Sequence, residues 1–421
     1  AFPVRGSVDG EVKKYSPEAT LMPSHWEIAW REPVKAPALA TPTGDLRSRQ
    51  LLGVGLGVGS SGFDIAGRHS WAAVARATTS GGKFEAGASY SFYGLGRPIL
   101  SVATNQRYEG AGQLLGGDPP EQDTLLVLER TRDVSGSITF PVSKWRYNLA
   151  LTLGGGLVWE HRELWTTALR ESTNYSLTKP TGRLTNARVT LNFNSSRTHA
   201  LQMGTTRGVN LFLQGRVKNE MQLPDSLKAV EGMDRSLGEV VGRVRGAIPL
   251  WGGGYAAHVL ALQASGGIAS GPGAGPFQYR LGGASGQLEQ LTGLELFGGG
   301  FLLFPVRGYP PGSRFGRLAW SATAEYRFPL WFINRGFRAW PLHADRMIGS
   351  LFFDTGNAWG PDLSASGFQN TLRDPLASLG AEITTEMLGL YRARVRLRVG
   401  IALPLVDGGD AVGYVRVGLP F

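Results

Sequence analysis

The chain has 421 residues, 60 of them glycine and 24 proline, with no cysteine and a formal charge of +10. A spanning helix needs about 20 apolar residues without breakers. The longest uncharged run, Gly246 to Tyr279, is interrupted by glycines and by Pro249 and Pro272, so no stretch qualifies. That leaves a soluble β protein or a membrane barrel, since only helices and closed barrels satisfy every backbone group in lipid. The absence of cysteine excludes a disulfide frame and a thiolate metal site. A basic balance raises nucleic acid as a partner, but the basic residues alternate along strands instead of forming one run, and none is expected.

In chain order, residues 1–48 are Pro-rich and irregular, with Tyr15-Ser16-Pro17 and Met22-Pro23-Ser24-His25-Trp26. They read as a linker over 1–24 and then a poorly formed first strand. The N-terminus lacks a basic segment followed by an apolar one, so the chain reads as mature or as a fragment. From residue 50 on, period-2 alternation dominates, the signal of strands with two different faces. It predicts strands at roughly 50–59, 70–78, 83–92, 97–107, 122–140, 144–162, 184–195, 199–218, 235–248, 254–267, 318–329, 345–357, 377–388, 391–403 and 412–421. Bacterial single-chain barrels close with an even number of strands. A further strand before residue 50 gives sixteen. Short turns are expected at 79–82, 93–96, 142–143, 249–253 and 389–390, and long loops at 163–183, 219–234, 268–317 and 358–376. The segment 286–304 reads either as a strand or as a hairpin inside the longest loop.

The faces decide between water and lipid. Tyr147, Leu149, Leu151, Leu153, Leu157 and Trp159 share one face, and Arg146, Asn148 and Thr152 the other. In 391–403, Val395, Leu397, Val399, Ile401 and Leu403 oppose Arg392, Arg394, Arg396 and Arg398. A soluble sandwich also alternates, but here the apolar faces carry aromatics near strand ends, as membrane-interface girdles do. The polar faces carry small residues and arginines, as a wet lumen does. The fold class is therefore read as all-β, a 16-stranded antiparallel transmembrane β-barrel over residues 25–421, with loop 268–317 folded into the lumen.

Gly57, Gly59 and Gly62 spell GxGxxG, but no helix or βαβ unit follows, so they read as a glycine stripe in a strand. The six histidines, at 25, 69, 161, 199, 258 and 343, make no ligand spacing, and Ser285 makes no G-x-S-x-G. No cofactor, metal site or enzyme activity is expected. The arginine ladder Arg392, Arg394, Arg396 and Arg398 reads either as a surface for nucleic acid or an acidic partner or as a solvated lumen wall paired with acidic loop residues; the second is favoured.

At Val306-Arg307-Gly308-Tyr309 the sequence resembles the superfamily of outer-membrane protein insertases and two-partner secretion transporters, the bacterial surface antigen barrels. Phe277-Gln278-Tyr279-Arg280-Leu281-Gly282-Gly283 resembles the family's aromatic-x-Leu-Gly-Gly lead-in. Glu325 matches its acidic strand residue, Phe352, Asp354 and Gly356 its Phe-x-Asp-x-Gly pattern, and Asp64 to Arg68 its early Asp-x-x-Gly turn. Phe421 on an alternating last strand resembles the C-terminal insertion signal. Residues 284–304 are an insertion relative to the family, and no polypeptide-transport-associated repeats precede the barrel; the linker looks more like members with another periplasmic domain upstream.

The resemblance implies an integral barrel of the bacterial outer membrane that assists insertion or translocation of polypeptides. The route would be a weak seam between first and last strands, with outer-membrane lipid, folding outer-membrane proteins as clients, and periplasmic or lipoprotein subunits as partners. The alternatives are a structural barrel anchoring an envelope complex and a small-solute pore. Arg307, held by Glu325 and Asp354, is expected to fix the loop inside the lumen.

Overall fold

The computed structural model describes residues 16–17, 20–36, 39–41, 44–46, 49–116, 123–166, 182–198, 204–222, 236–253, 256–274, 279–283, 302–310, 312–336, 342–360, 369, 372–389 and 393–418. Among these the regular structure is β1 (His25–Arg31), β2 (Lys35–Ala36), β3 (Leu39–Thr41), β4 (Gly44–Leu46), β5 (Arg49–Gln50), β6 (Gly55–Phe63), β7 (His69–Thr78), β8 (Phe84–Phe92), β9 (Ile99–Gly116), β10 (Asp123–Lys144), β11 (Tyr147–Thr166) and β12 (Gly182–Asn194). It continues with β13 (Gly208–Gln222), β14 (Leu237–Gly253), β15 (Ala256–Ser270), β16 (Tyr279–Leu281), β17 (Leu302–Phe304), β18 (Arg314–Gly316), β19 (Leu318–Gly336), β20 (Leu342–Trp359), β21 (Leu376–Gly389), β22 (Ala393–Pro404) and β23 (Val412–Gly418).

Sixteen of these strands form one sheet in the order β1-β6-β7-β8-β9-β10-β11-β12-β13-β14-β15-β19-β20-β21-β22-β23. The fold is all-β, a 16-stranded antiparallel barrel. The strand expected before residue 50 is β1, paired with β6 from His25↔Ser61 to Arg31↔Gly55. The strand expected from residue 199 begins only at Gly208, whose φ of 112° suits glycine and sets the start. The turn expected at 142–143 lies at 145–146. The turn expected at 249–253 is still strand: Pro249 sits where the β14–β15 register shifts, a place where a missing donor is tolerated. The ambiguous segment 286–304 contributes β17 to a small sheet ordered β17-β16-β18, within the connection between β15 and β19; residues 284–301 lie outside the described set.

The exposure pattern is inverted relative to a water-soluble protein. On β1, Trp26, Ile28 and Trp30 are 64%, 82% and 65% exposed. Large apolar side chains stand out at alternate positions of the other strands too: Val240, Val244 and Ile248 on β14, Val399, Ile401 and Leu403 on β22. The intervening side chains are polar and buried, among them Glu85, Asp133, Asn186, Arg216, Glu239, Ser350, Asp354 and Glu382. A contiguous exposed apolar band over a polar inner face is the requirement of a barrel in lipid. Among the described residues no helix is long and apolar enough to cross a membrane.

The chain divides into two compact units, 1–136 with 161–177, and 137–160 with 178–421. In the first, the β1–β6 connection folds inward, and Val34, Leu51 and Leu52 pack in one apolar cluster with Tyr108 and Leu128. Arg31 at the end of β1 pairs with Glu85 on β8 and donates to the Tyr108 carbonyl at 2.7 Å. The expected turn at Asp64 is present: Gly67 donates to the Asp64 carbonyl at 2.9 Å, His69 N–H donates to its carboxylate at 2.6 Å, and Gly67 has φ 64°. The Gly57, Gly59 and Gly62 stripe lies within β6, where a Cβ on Gly62 would meet the Trp71 ring nitrogen at 2.6 Å.

Candidate functional site

The site is the inner face of β19–β22 in the second unit, with the connection between β15 and β19 lying against it. The connection has its own apolar core. Tyr279 and Phe304 meet edge to face at 5.6 Å. Together with Leu281, Val306 and Tyr309 they bury against Val241, Ala269, Ala319, Ala358 and Leu376. Small wall residues admit this core: a Cβ on Gly267 would lie 3.0 Å from the Tyr279 ring and 3.1 Å from the Phe304 ring. The inner wall is thus apolar where the loop rests on it and polar elsewhere.

The two loop motifs come together despite the residues between them. β16 and β17 run parallel, Gly283 bridges Val306, and Gly283 N–H donates to the Tyr309 carbonyl at 2.8 Å. Gly282 has φ 114°, and a Cβ there would collide with the Pro310 carbonyl, so the lead-in glycine is needed by the backbone of the tip. Phe277 and Gln278 lie outside the described residues.

Arg307 is 7% exposed and Asp354 1%. The guanidinium donates from Nε to Asp354 Oδ2 at 2.6 Å and from Nη2 to Oδ1 at 2.8 Å, and the Arg307 backbone N–H adds a bond to Oδ2 at 3.2 Å. This is the bidentate geometry that a planar fork makes with a carboxylate. The Phe352 ring lies 3.4 Å from the guanidinium carbon and covers its face. Burial alone would lower the Arg307 pKa; hydrogen bonding to Asp354 and its charge, with Glu325 beyond, raise it above its ordinary value.

Each position of Phe352-x-Asp354-x-Gly356 therefore has a task. Phe352 stacks, and lies over Gly380, where a Cβ would press on its ring. Asp354 clamps. Gly356 leaves room for Leu281, whose Cδ1 would be 3.0 Å from a Cβ there. Gly308 takes φ 90°, with a would-be Cβ 3.4 Å from Pro404 N and 3.5 Å from the Ala402 Cβ, so the tip turns flat against β22. The Tyr309 hydroxyl lies 2.9 Å from both the Ala377 and Val406 carbonyls, which share its one proton, and accepts from Val406 N–H at 3.2 Å.

Glu325 does not hydrogen-bond Arg307, contrary to expectation. It accepts from Arg327 at 3.1 Å. The register explains this: Glu325 pairs with Phe352, and Phe352 occupies the face of the guanidinium. The second carboxylate near Arg307 is Glu382 of β21, with Oε2 3.8 Å from Nη1. Glu382 also accepts from the Tyr414 hydroxyl at 2.9 Å and from Thr384 at 3.2 Å, and lies 3.8 Å from Arg398. Sequence reasoning missed it. Its only local signal is an acidic residue between outward Leu379 and Ile383, a pattern shared with every polar wall position.

The basic ladder is partly resolved. Arg396 pairs with its cross-strand partner Glu386 at 2.7 Å, and Arg398 approaches Glu382. For these two arginines the acids Glu386 and Glu382 come from the neighbouring strand β21, where loop acids were expected. Arg394 lies on β22, and Arg392 and Phe421 lie outside the described residues.

No protein-family model and no curated protein matches the chain. Among solved structures, CdiB from Escherichia coli superposes with a TM-score of 0.50 at 13% identity, covering 95% of this chain and 68% of that one. BamA from Haemophilus ducreyi, in a form lacking POTRA domains 1–3, superposes with a TM-score of 0.52 at 16% identity, covering 95% of this chain and 76% of the other. The chain shares the barrel fold of CdiB and BamA, and on that fold the Arg307 loop is mounted against the inner wall.

Proposed function

We propose that this chain is an outer-membrane barrel that assists the insertion or translocation of polypeptides, and that it does no covalent chemistry. The observation that carries the reading is the Arg307 clamp. It fixes the tip of a loop whose apolar core also rests on the inner wall, through polar contacts that can break and reform. Client chains would pass or enter lipid at a seam between the strands terminal in the sheet order. β1 spans 7 residues and β23 shows 7 among those described, against 19 in β19, so little ladder holds them in place. Outer-membrane lipid and unfolded barrel proteins are the partners, with periplasmic or lipoprotein subunits delivering the client.

The test is reconstitution of the purified chain in lipid vesicles, followed by the folding rate of a small client barrel. A rate raised well above that of empty vesicles is expected. Equal rates with and without the chain, in vesicles also supplied with its co-purifying subunits, would overturn the reading and leave an anchoring barrel. Large, steady single-channel conductance would instead favour a solute pore.

A further inference from the structure

We propose that Glu382 is a positioning residue that couples the tip of the Arg307 loop to the terminal strand β23. The inference rests on the reading above, in which the loop and the terminal strands are working parts.

The geometry is a row across three strands. Glu382 on β21 pairs with Gly400 on β22, and Gly400 pairs with Tyr414 on β23. A Cβ at Gly400 would lie 2.6 Å from the Tyr414 ring carbon Cζ and 2.7 Å from its hydroxyl. The glycine is therefore a slot: the Tyr414 ring lies flat across β22 and delivers its hydroxyl to Glu382 Oε2 at 2.9 Å. The same Oε2 is 3.8 Å from Arg307 Nη1. One carboxylate oxygen thus serves the loop's cation and the last strand's hydroxyl. Thr384 and Arg398 face Oε1 and hold the other side of the group.

A second set of contacts reaches the same hairpin. Tyr309, two residues after Arg307, bonds Val406 at the start of the β22–β23 turn. A Cβ on Gly409 in that turn would sit 2.6 Å from the Gly308 carbonyl and 2.8 Å from the Tyr309 ring. The loop tip therefore touches the terminal hairpin at its turn and, through Glu382, at its middle. A loop that leaves its seat removes both supports, and the Glu382 carboxylate, drawn then only toward Arg398 and Thr384 on its Oε1 side among these contacts, orients Tyr414 less firmly. Along its length β23 is held by the ladder to β22 from Arg396↔Gly418 to Ala402↔Val412.

Hydrogen–deuterium exchange of the full chain in lipid bilayer discs tests this. Hydrogen bonds to a charged group are each worth about 1.5–3 kcal/mol, so Glu382→Gln, Tyr414→Phe and Gly400→Ala should each raise exchange in 412–418 by about tenfold or more. Tyr414→Phe and Gly400→Ala should leave residues 302–316 protected. Glu382→Gln combined with Tyr414→Phe should do no more than either alone, because the two share one contact. Arg307→Lys, which keeps the charge and loses the fork, should raise exchange in both the loop and β23. Unchanged exchange in β23 across the three single variants, multiplying effects in the double variant, or loosening of the loop alone in Arg307→Lys would each overturn the coupling. Should Glu382→Gln fail to fold, Tyr414→Phe and Gly400→Ala carry the test, since neither alters a charge. No client is present in the assay. A responsive β23 in a chain inert toward clients would keep the coupling and remove the proposed function.

Discussion

The two strands that end the sheet order are held in different ways. β1 is fixed on its inner side by Arg31, which pairs with Glu85 and bonds the Tyr108 carbonyl, beside an apolar wedge of Val34, Leu51 and Leu52. Apolar burial is non-directional and persists through small shifts. Beyond its ladder to β22, β23 is tied on its inner side by the Tyr414 hydroxyl, which donates to a carboxylate that already faces Arg307 and Arg398. The partners of Arg31 belong to β8 and β9 of its own unit, whereas the partner of Tyr414 is one that the Arg307 loop also uses. The contrast assigns β1 the role of a fixed edge and β23 that of the edge the loop controls.

The largest effect should come from Arg307→Ala. It leaves Asp354 buried without its cation, a loss of about 3–5 kcal/mol by analogy with broken buried pairs, and less where lumen water reaches the group. Limited proteolysis should cut the loop in the variant and not in the parent, while the barrel persists. Exchange should rise in 412–418 and stay unchanged in 25–31. Asp354→Asn combined with Arg307→Ala should lose less than the sum of the singles, because they share one network. Additive losses would break the clamp.

The reverse experiment loosens the other edge. Glu85→Gln removes the charge facing Arg31, which is itself partly exposed. A loss of about 1–3 kcal/mol in chemical unfolding is expected, with faster exchange in 25–31 and none in 412–418. Faster exchange at β23 in this variant would erase the contrast between the two edges.

Tyr309→Phe is the mildest change. It strips one hydroxyl from the Ala377 and Val406 carbonyls, worth about 1 kcal/mol. Exchange should rise at the β22–β23 turn while the Arg307–Asp354 clamp still protects the loop from protease. Loss of loop protection here would mean that the tyrosine, and not the arginine, sets the position of the tip.

Much of this fold was legible in the sequence because lipid imposes a strict alternation. The runs in β11, β12 and β22 mark wall and lipid faces residue by residue. Strand count followed from parity, and β1 appeared where it was needed. The clamp was legible through its motifs: Arg307, Gly308 and Asp354 meet, and the lead-in glycines serve the same tip. What was not legible depends on register. Glu325 and Glu382 are equivalent in a sequence, each an acid on the inner face of a strand. Only the pairing of Glu325 with Phe352, and of Glu382 with Gly400 next to Tyr414, decides which one lies within ion-pair distance of Arg307. The inward β1–β6 connection escaped notice because its prolines hid short strands that, among the described residues, pair β2 with β5 and β3 with β4.

The most direct test uses the absence of native cysteine, which makes any introduced pair the only thiols. One cysteine in β1 and one in β23, placed to oxidise across the seam, should abolish client insertion in lipid vesicles. Reduction should restore it, while single-cysteine controls remain active under oxidant. Full insertion activity in the oxidised, locked barrel would contradict a seam that opens to polypeptide.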